Sequence, residues 1–228
     1  MMSAEHPDDA ALTSLTTLPD PDDLLRGTAW DCHDSAIGDY SIWLPYVLRA
    51  LLDPDPEIQS GAFADLEPIR HQNTIYGATV PAAIYIAGIL PDPRTATLFM
   101  FGDYRWSRDH QAPLRSALIR WLGSVVDDAS WQANTPEGAA VLARRPVFFN
   151  AIAPFLHDDD DTIRRAAIEA AAVLVEAPEL ASHRPEITKL NGSEECGDTR
   201  PSAATVSPYV DGSFNGDPWA YDPWTKRD

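Results

Sequence analysis

Pro154-Phe155-Leu156-His157-Asp158-Asp159-Asp160-Asp161-Thr162-Ile163 repeats a pattern laid down earlier as Ala50-Leu51-Leu52-Asp53-Pro54-Asp55-Pro56-Glu57-Ile58. In each stretch an apolar helix end runs into an acidic turn. A new helix then opens with Asp, two residues, Ile and, four later, Ala. Asp55, Ile58 and Ala62 match Asp160, Ile163 and Ala167 at a constant offset of 105. Aspartate at a helix N-cap accepts hydrogen bonds from the orphan amides of the first turn, and Pro56 at the first helical position gives up no amide the helix would have used. A recurring helix-turn-helix unit marks a repeat architecture, in which each unit buries its apolar face only against its neighbours.

Working outward, the first unit pairs a helix over 40–52, whose apolar residues are Tyr40, Ile42, Trp43, Tyr46, Val47, Ala50 and Leu51, with a helix over 56–70. The last unit pairs 139–156 with 161–175. In its second helix Ile163, Ala166, Ala167, Ala170, Ala171 and Leu174 form a stripe at helical spacing, and Ile168, Ala172 and Val173 add apolar residues on the other side. Between the two units the turn recurs as Ile89-Leu90-Pro91-Asp92-Pro93-Arg94 after an apolar helix at 80–90. Its partner helix, 109–126, arrives late because residues 95–108 are inserted. The chain therefore reads as all-α: three helix pairs in a domain over 39–185, an irregular acidic N-terminal extension over 1–38, and a flexible acidic tail over 186–228. The tail closes on a doubled Asp-Pro-Trp containing Trp219 and Trp224.

These turns and small-residue second helices resemble HEAT repeats over about residues 40–175. The resemblance rests on Leu52, Asp55, Ile58 and Ala62, on Leu90, Asp92 and Arg94, and on Leu156, Asp160, Ile163, Arg164 and Ala167. It implies a short α-solenoid. HEAT repeats often place a basic residue directly after the β-branched residue of the second helix; Arg164 fits and Gln59 departs. Residues 67–90 also look like small actinobacterial HEAT-like proteins, some of which are thought to neutralise toxins as immunity proteins.

The formal net charge is -18, and acids outnumber bases in all three segments. Such a field opposes the phosphate neutralisation on which nucleic-acid binding depends and favours a basic protein partner over nucleic acid or an anionic membrane. Cys32 and Cys196 make no CxxC or metal-type spacing, which points to a reducing, cytoplasmic setting without a disulfide framework. The acidic N-terminus lacks the apolar stretch of a signal peptide. The apolar run at 80–90 is eleven residues, where a spanning helix needs about 18. It is expected to be a buried helix of a soluble protein, with a monomer favoured.

Few constellations suggest chemistry. The acidic run at 157–161 lacks the alternating ligands and the glycine of a calcium loop, so Asp160 is expected to cap a helix while its neighbours face water. Asp31-Cys32-His33-Asp34 places a thiol beside an imidazole, but adjacent residues rarely reach the geometry of nucleophile and base, and a plain loop is expected. No P-loop, GxSxG, HExxH or GxGxxG pattern occurs. Neither a cofactor nor a metal is expected. Arg144-Arg145 and Arg164-Arg165 are expected to form salt bridges, with an anion site as the alternative.

Two groups are candidates for contact with a partner. Glu67, Arg70, His71 and Gln72 cluster at the end of the first unit's second helix, where they either read a partner or satisfy backbone groups in the connection to Val80. Tyr104, Arg105 and Trp106 lie in the insertion, where aromatics serve as interface anchors; alternatively Leu98, Met100 and Phe101 fold back as a short helix over the core. Trp219 and Trp224 are tail anchors for this chain or for another, with no ordered role as the third reading. The sequence thus points to a non-catalytic protein-binding module, with an immunity protein against a basic toxin as its most specific form. The alternatives are an enzyme on a HEAT-like scaffold, resembling bilin lyases or DNA glycosylases in fold, or a structural adaptor.

Overall fold

A computed structural model describes residues 17–100 and 111–195, and those residues are predominantly helical. Helices α1 (Pro21–Gly27), α2 (Leu44–Ala50) and α3 (Pro56–Ala64) are followed by a small antiparallel pair, β1 (Arg70–His71) and β2 (Thr74–Ile75). Then come α4 (Thr79–Ile89), a second antiparallel pair formed by β3 (Leu98–Met100) and β4 (Gln111–Pro113), and α5 (Leu114–Trp131). The chain continues through α6 (Pro136–Leu142), α7 (Arg145–Ile152), α8 (Asp161–Leu174) and α9 (Arg184–Glu195).

The acidic turns act as caps. Asp55 accepts from the Glu57 amide at 2.9 Å, Asp92 from the Arg94 amide at 2.9 Å, and Asp160 from the Thr162 and Ile163 amides at 2.8 and 3.1 Å. In the three pairs, α2 packs on α3, α4 on α5 and α7 on α8. The first helices also touch in series, α2 on α4 and α4 on α7, while α5 lies along α8. The crossing of α5 over α8 depends on small residues. A methyl group on Gly123 would sit 2.9 Å from the Ala170 Cβ, well inside the roughly 3.5–4.0 Å of a normal carbon contact. Around that point Ala166, Ala167 and Ala171 are fully buried.

Three side chains at corresponding places tie each second helix back to the turn before it. Gln59 donates to the Leu51 carbonyl at 3.2 Å, Arg115 to the Asp92 carbonyl at 3.0 Å, and Arg164 to the Asp158 carbonyl at 2.7 Å. Each follows an apolar residue at the start of its helix: Ile58, Leu114 or Ile163. Gln59 also bridges to the next turn through the Arg94 carbonyl at 3.2 Å, and Arg94 returns a bond to the Leu52 carbonyl at 3.3 Å. Arg115, whose equivalence was hidden by the insertion, additionally donates to Thr95 Oγ1 at 2.9 Å and lies 5.0 Å from the Phe155 ring centroid.

Helix α4 is buried along its length except at Gly88, because α1, α2, α5, α6 and α7 surround it. Gly88 admits α1: a Cβ there would lie 3.1 Å from the Pro21 ring. The N-terminal extension is accordingly not irregular throughout. Asp20 caps α1, Leu24, Leu25 and Trp30 enter the core, and the Trp30 indole donates to the Leu25 carbonyl at 3.1 Å.

Several boundaries differ from expectation for local reasons. The helix expected over 56–70 ends at Ala64, and Pro68, which has no amide to donate, lies in the short 3₁₀ turn Glu67–Ile69 that follows. The helix expected at 109–126 starts at Leu114 because residues 111–113 pair as a strand with 98–100, and it runs on to Trp131. That pairing replaces the start of the short covering helix expected at Leu98, Met100 and Phe101; Leu98 is exposed, and Phe101 lies outside the described residues. The helix expected over 139–156 is broken into α6 and α7, with Pro146 in the first turn of α7, and Pro154 turns the chain again. Helix α9 crosses the boundary expected at 185, with Ile187 buried. Finally, Ile58, matched in sequence to buried Ile163, is 46% exposed, and the inward position of that turn is filled by Gln59, which is fully buried. The neighbour of α3 across the insertion is strand β3 rather than a helix.

Candidate interaction surface

The segment over 38–51 carries two apolar faces. Leu44, Leu48 and Leu51 fall at helical spacing and are wholly buried. Ile42, Trp43 and Tyr46 fall on the opposite side and face solvent, Trp43 being 62% and Tyr46 66% exposed. Their rings lie 6.1 Å apart between centroids at an interplanar angle of 43°. Ile37, just before, is also exposed. Ile42, Trp43 and Tyr46, named in the sequence among the apolar residues of the helix over 40–52, form an uncovered aromatic and aliphatic face. The available signal was the doubled periodicity: a 44/48/51 stripe completes the burial a short helix needs, so a second apolar stripe on the same turn is surplus to folding.

One turn beyond Tyr46 on the same face lies Arg49, which opens a polar cleft of about 530 Å³. The cleft is enclosed by the start of α1, the turn after α2 and the end of α4, with Asp20, Asp22, Arg49, Asp53, Tyr85, Asp92 and Arg94 supplying its polar groups. Most of these are occupied. Asp20 accepts from the Asp22 and Asp23 amides at 3.0 and 3.1 Å, and Asp53 accepts from the Asp55 amide at 2.9 Å. Arg94 grips Asp92 through two nitrogens, at 3.0 and 2.7 Å, and the side-chain hydrogen bond from Arg94 is the main reason the Asp92 carboxyl lies below its ordinary range. Tyr85 is only 2% exposed yet contributes to the lining. Burial first, and Asp22 second, push its hydroxyl up to about 12, while Arg49 and Arg94 act in the opposite sense.

The cluster predicted near the first unit's end is brought together, but on a hairpin rather than on a helix. Its two-residue turn is Gln72-Asn73, with φ of 51° and 61°, the left-handed conformation that a tight hairpin requires and that glycine usually supplies. The Gln132 amide clamps this turn, donating to the Asn73 carbonyl at 2.6 Å and accepting from the Ile75 amide at 3.2 Å. Arg70 is taken up by Asp128, an ion pair at 2.5 Å in which Asp128 is buried. Glu67 pairs with His71 on the surface, and Gln72 is exposed at the tip. Arg70 thus anchors structure, and the solvent-facing members are Glu67 and Gln72, with His71 partly covered.

Tyr104, Arg105, Trp106, Trp219 and Trp224 lie outside the described residues. In the acidic run, Asp160 caps α8 as expected, Asp161 pairs with Arg164, and His157 stands 3.7 Å from Glu186. Among the described residues no group of three or more His, Cys, Asp or Glu side chains is placed to hold a metal ion. Cys32 is exposed, and Asp34 is used structurally, accepting from the Gly77 amide at 2.5 Å to fix the turn before α4. Arg145 donates to the Ser130 hydroxyl at 2.8 Å, and Arg144, almost fully buried, donates to the Ala140 carbonyl at 2.5 Å. Among the described residues no helix is long and apolar enough to cross a membrane.

No protein-family model, curated protein or solved structure matches this chain.

Proposed function

We propose that the protein is a non-catalytic binding module that captures another, basic protein through the face formed by Ile37, Ile42, Trp43 and Tyr46. The observation that carries this reading is the exposure of Trp43 and Tyr46, two large aromatics held side by side where the 3₁₀ turn Gly38–Trp43 runs into α2, with nothing packed over them among the described residues. Aromatic side chains on a fixed backbone bury much area for little entropy and dominate interface energetics. The net charge of -18 supplies the second component, long-range attraction that raises the association rate of a cationic partner.

The architecture that suits this role is a short HEAT-like solenoid. The contacts of α2 with α4 and α4 with α7, the run of α5 along α8, and the recurring bonds of Gln59, Arg115 and Arg164 to their own turns are what that reading expects. In its most specific form the module is an immunity protein blocking a basic toxin. The test is co-expression with the product of the adjacent gene. Growth arrest relieved by the wild-type chain, and not by Trp43→Ala/Tyr46→Ala, supports the reading. Equal relief by both proteins removes the aromatic face from it, and a harmless, non-binding neighbour removes the immunity role.

A further inference from the structure

We infer that the cleft between α1, α2 and α4 binds a small zwitterion of the amino-acid class, a free amino acid or a dipeptide, held between Asp22 and Arg49 over the Tyr85 hydroxyl. Of the polar groups around the cleft, Asp20 and Asp53 each commit one carboxylate oxygen to backbone amides, and Asp92 pairs with Arg94 through both of its oxygens. Three groups remain that make no hydrogen bond or ion pair through their side chains among the described residues: the Asp22 carboxylate, the Arg49 guanidinium and the Tyr85 hydroxyl. They comprise one anion, one cation and one neutral donor-acceptor.

Tyr85 is what distinguishes this cleft from a chance grouping of surface charges. Its side chain is almost completely buried in a helix whose other polar side chain, Thr79, donates to the Ile69 carbonyl, and its hydroxyl reaches the cleft without a protein partner among the described residues. This hydroxyl is not an orphaned buried atom: it opens onto the cleft, where a ligand group would take the place of solvent. Asp22 and Arg49 both act on that hydroxyl, in opposite senses, and yet form no ion pair with each other. A separation of opposite charges across a pocket is what a ligand carrying both an ammonium and a carboxylate would close: ammonium to Asp22, carboxylate to Arg49, which is suited to planar bidentate recognition.

The alternatives fit less well. A phosphate-like dianion would meet four aspartates, and a bare cation would meet Arg49 and Arg94. The volume, about 530 Å³, lies within the roughly 300–1,000 Å³ of small-molecule sites and leaves room for a side chain or a second residue. The apolar parts of Pro21, Leu52 and Pro54 at the rim would meet that side chain.

The test is calorimetry and thermal denaturation of the full chain with each of the twenty L-amino acids and glycylglycine as separate probes, every hit being repeated as its N-acetyl and methyl-ester derivatives. At least one probe is expected to bind and raise the melting temperature, with both derivatives weaker by about tenfold or more, the worth of a charge-assisted hydrogen bond. Asp22→Asn and Arg49→Gln are each expected to weaken the hit by a similar factor, and Tyr85→Phe, which preserves the buried ring, by about threefold to tenfold. Arg120→Gln, whose residue pairs with Glu169 away from the cleft, serves as the unaffected control. The inference is overturned if no probe binds, if blocking either charge leaves affinity unchanged, or if the cleft variants, folded by circular dichroism, bind like wild type.

Discussion

Replacing Gly123 with alanine adds one methyl group where α5 closely approaches Ala170 of α8. Two effects compete. Alanine in a helix interior is favoured over glycine by about 0.8–1.0 kcal/mol. Against this, the new Cβ would lie 2.9 Å from the Ala170 Cβ and 3.0 Å from its Cα, atoms with no rotamer by which to retreat. Relief requires α5 and α8 to separate by several tenths of an ångström over a face lined with Ala166, Ala167 and Ala171, a class of overpacking that costs about 1–3 kcal/mol. The net expectation is a loss of about 0–2 kcal/mol. Gly61, mid-helix in α3, supplies the reference, because nothing lies within 4 Å of where its added methyl group would stand. Gly61→Ala receives the propensity gain alone and is expected to stabilise by up to about 1 kcal/mol. The two variants should therefore differ by about 1–3 kcal/mol in urea denaturation at constant m-value, and Ala170→Gly should recover part of the loss in the Gly123→Ala background. Equal stabilisation by Gly123→Ala and Gly61→Ala would refute the close α5–α8 crossing.

Trp43→Ala and Tyr46→Ala, at exposed positions, are expected to change stability by no more than about 0.5 kcal/mol, whereas Leu48→Ala on the opposite face should cost about 2–5 kcal/mol; chemical denaturation of the three compares the faces directly. Arg115→Ala removes bonds to the Asp92 carbonyl and the Thr95 hydroxyl and should cost roughly 1.5–3 kcal/mol, with lysine a poor substitute because it lacks the planar fork. Tyr85 holds its proton more tightly folded than unfolded, so its contribution is intact below pH 10 and is lost as pH rises from 10.0 toward about 12. Phenolate absorbance should show late-titrating tyrosine in the native protein, and Tyr85→Phe should flatten the fall in stability over that window by up to about 1.4 kcal/mol per pH unit.

What could be read in advance was whatever depends on neighbours in the chain. An aspartate followed by a helix start caps that helix wherever it stands, so Asp55 and Asp160 were legible, as was the buried character of α4. The partition of the segment over 42–51 into inner and outer faces was not, because Trp43 and Tyr46 differ from Leu44 and Leu48 only in what the rest of the fold places over them. The same holds for α1, whose seven residues acquire their place from Gly88 and the surface of α4. Arg115 escaped notice because the insertion moved it out of register with Arg164. The hairpin at 70–75 was hidden because Gln72 and Asn73 fill a turn that the usual asparagine-glycine signal would have announced. The cleft joins residues from three separated segments, and its unpaired members become visible only after the paired ones are subtracted.

The central claim, that the Trp43–Tyr46 face is the protein's binding surface, is tested most directly by side-by-side affinity capture from the native host with the wild-type chain and with Trp43→Ala/Tyr46→Ala, followed by association kinetics on the captured protein. The account predicts a basic partner held by the wild type and lost by the double variant, with an association rate that falls steeply as salt is raised. The same partner bound equally by both proteins, or an association rate indifferent to salt, would contradict it.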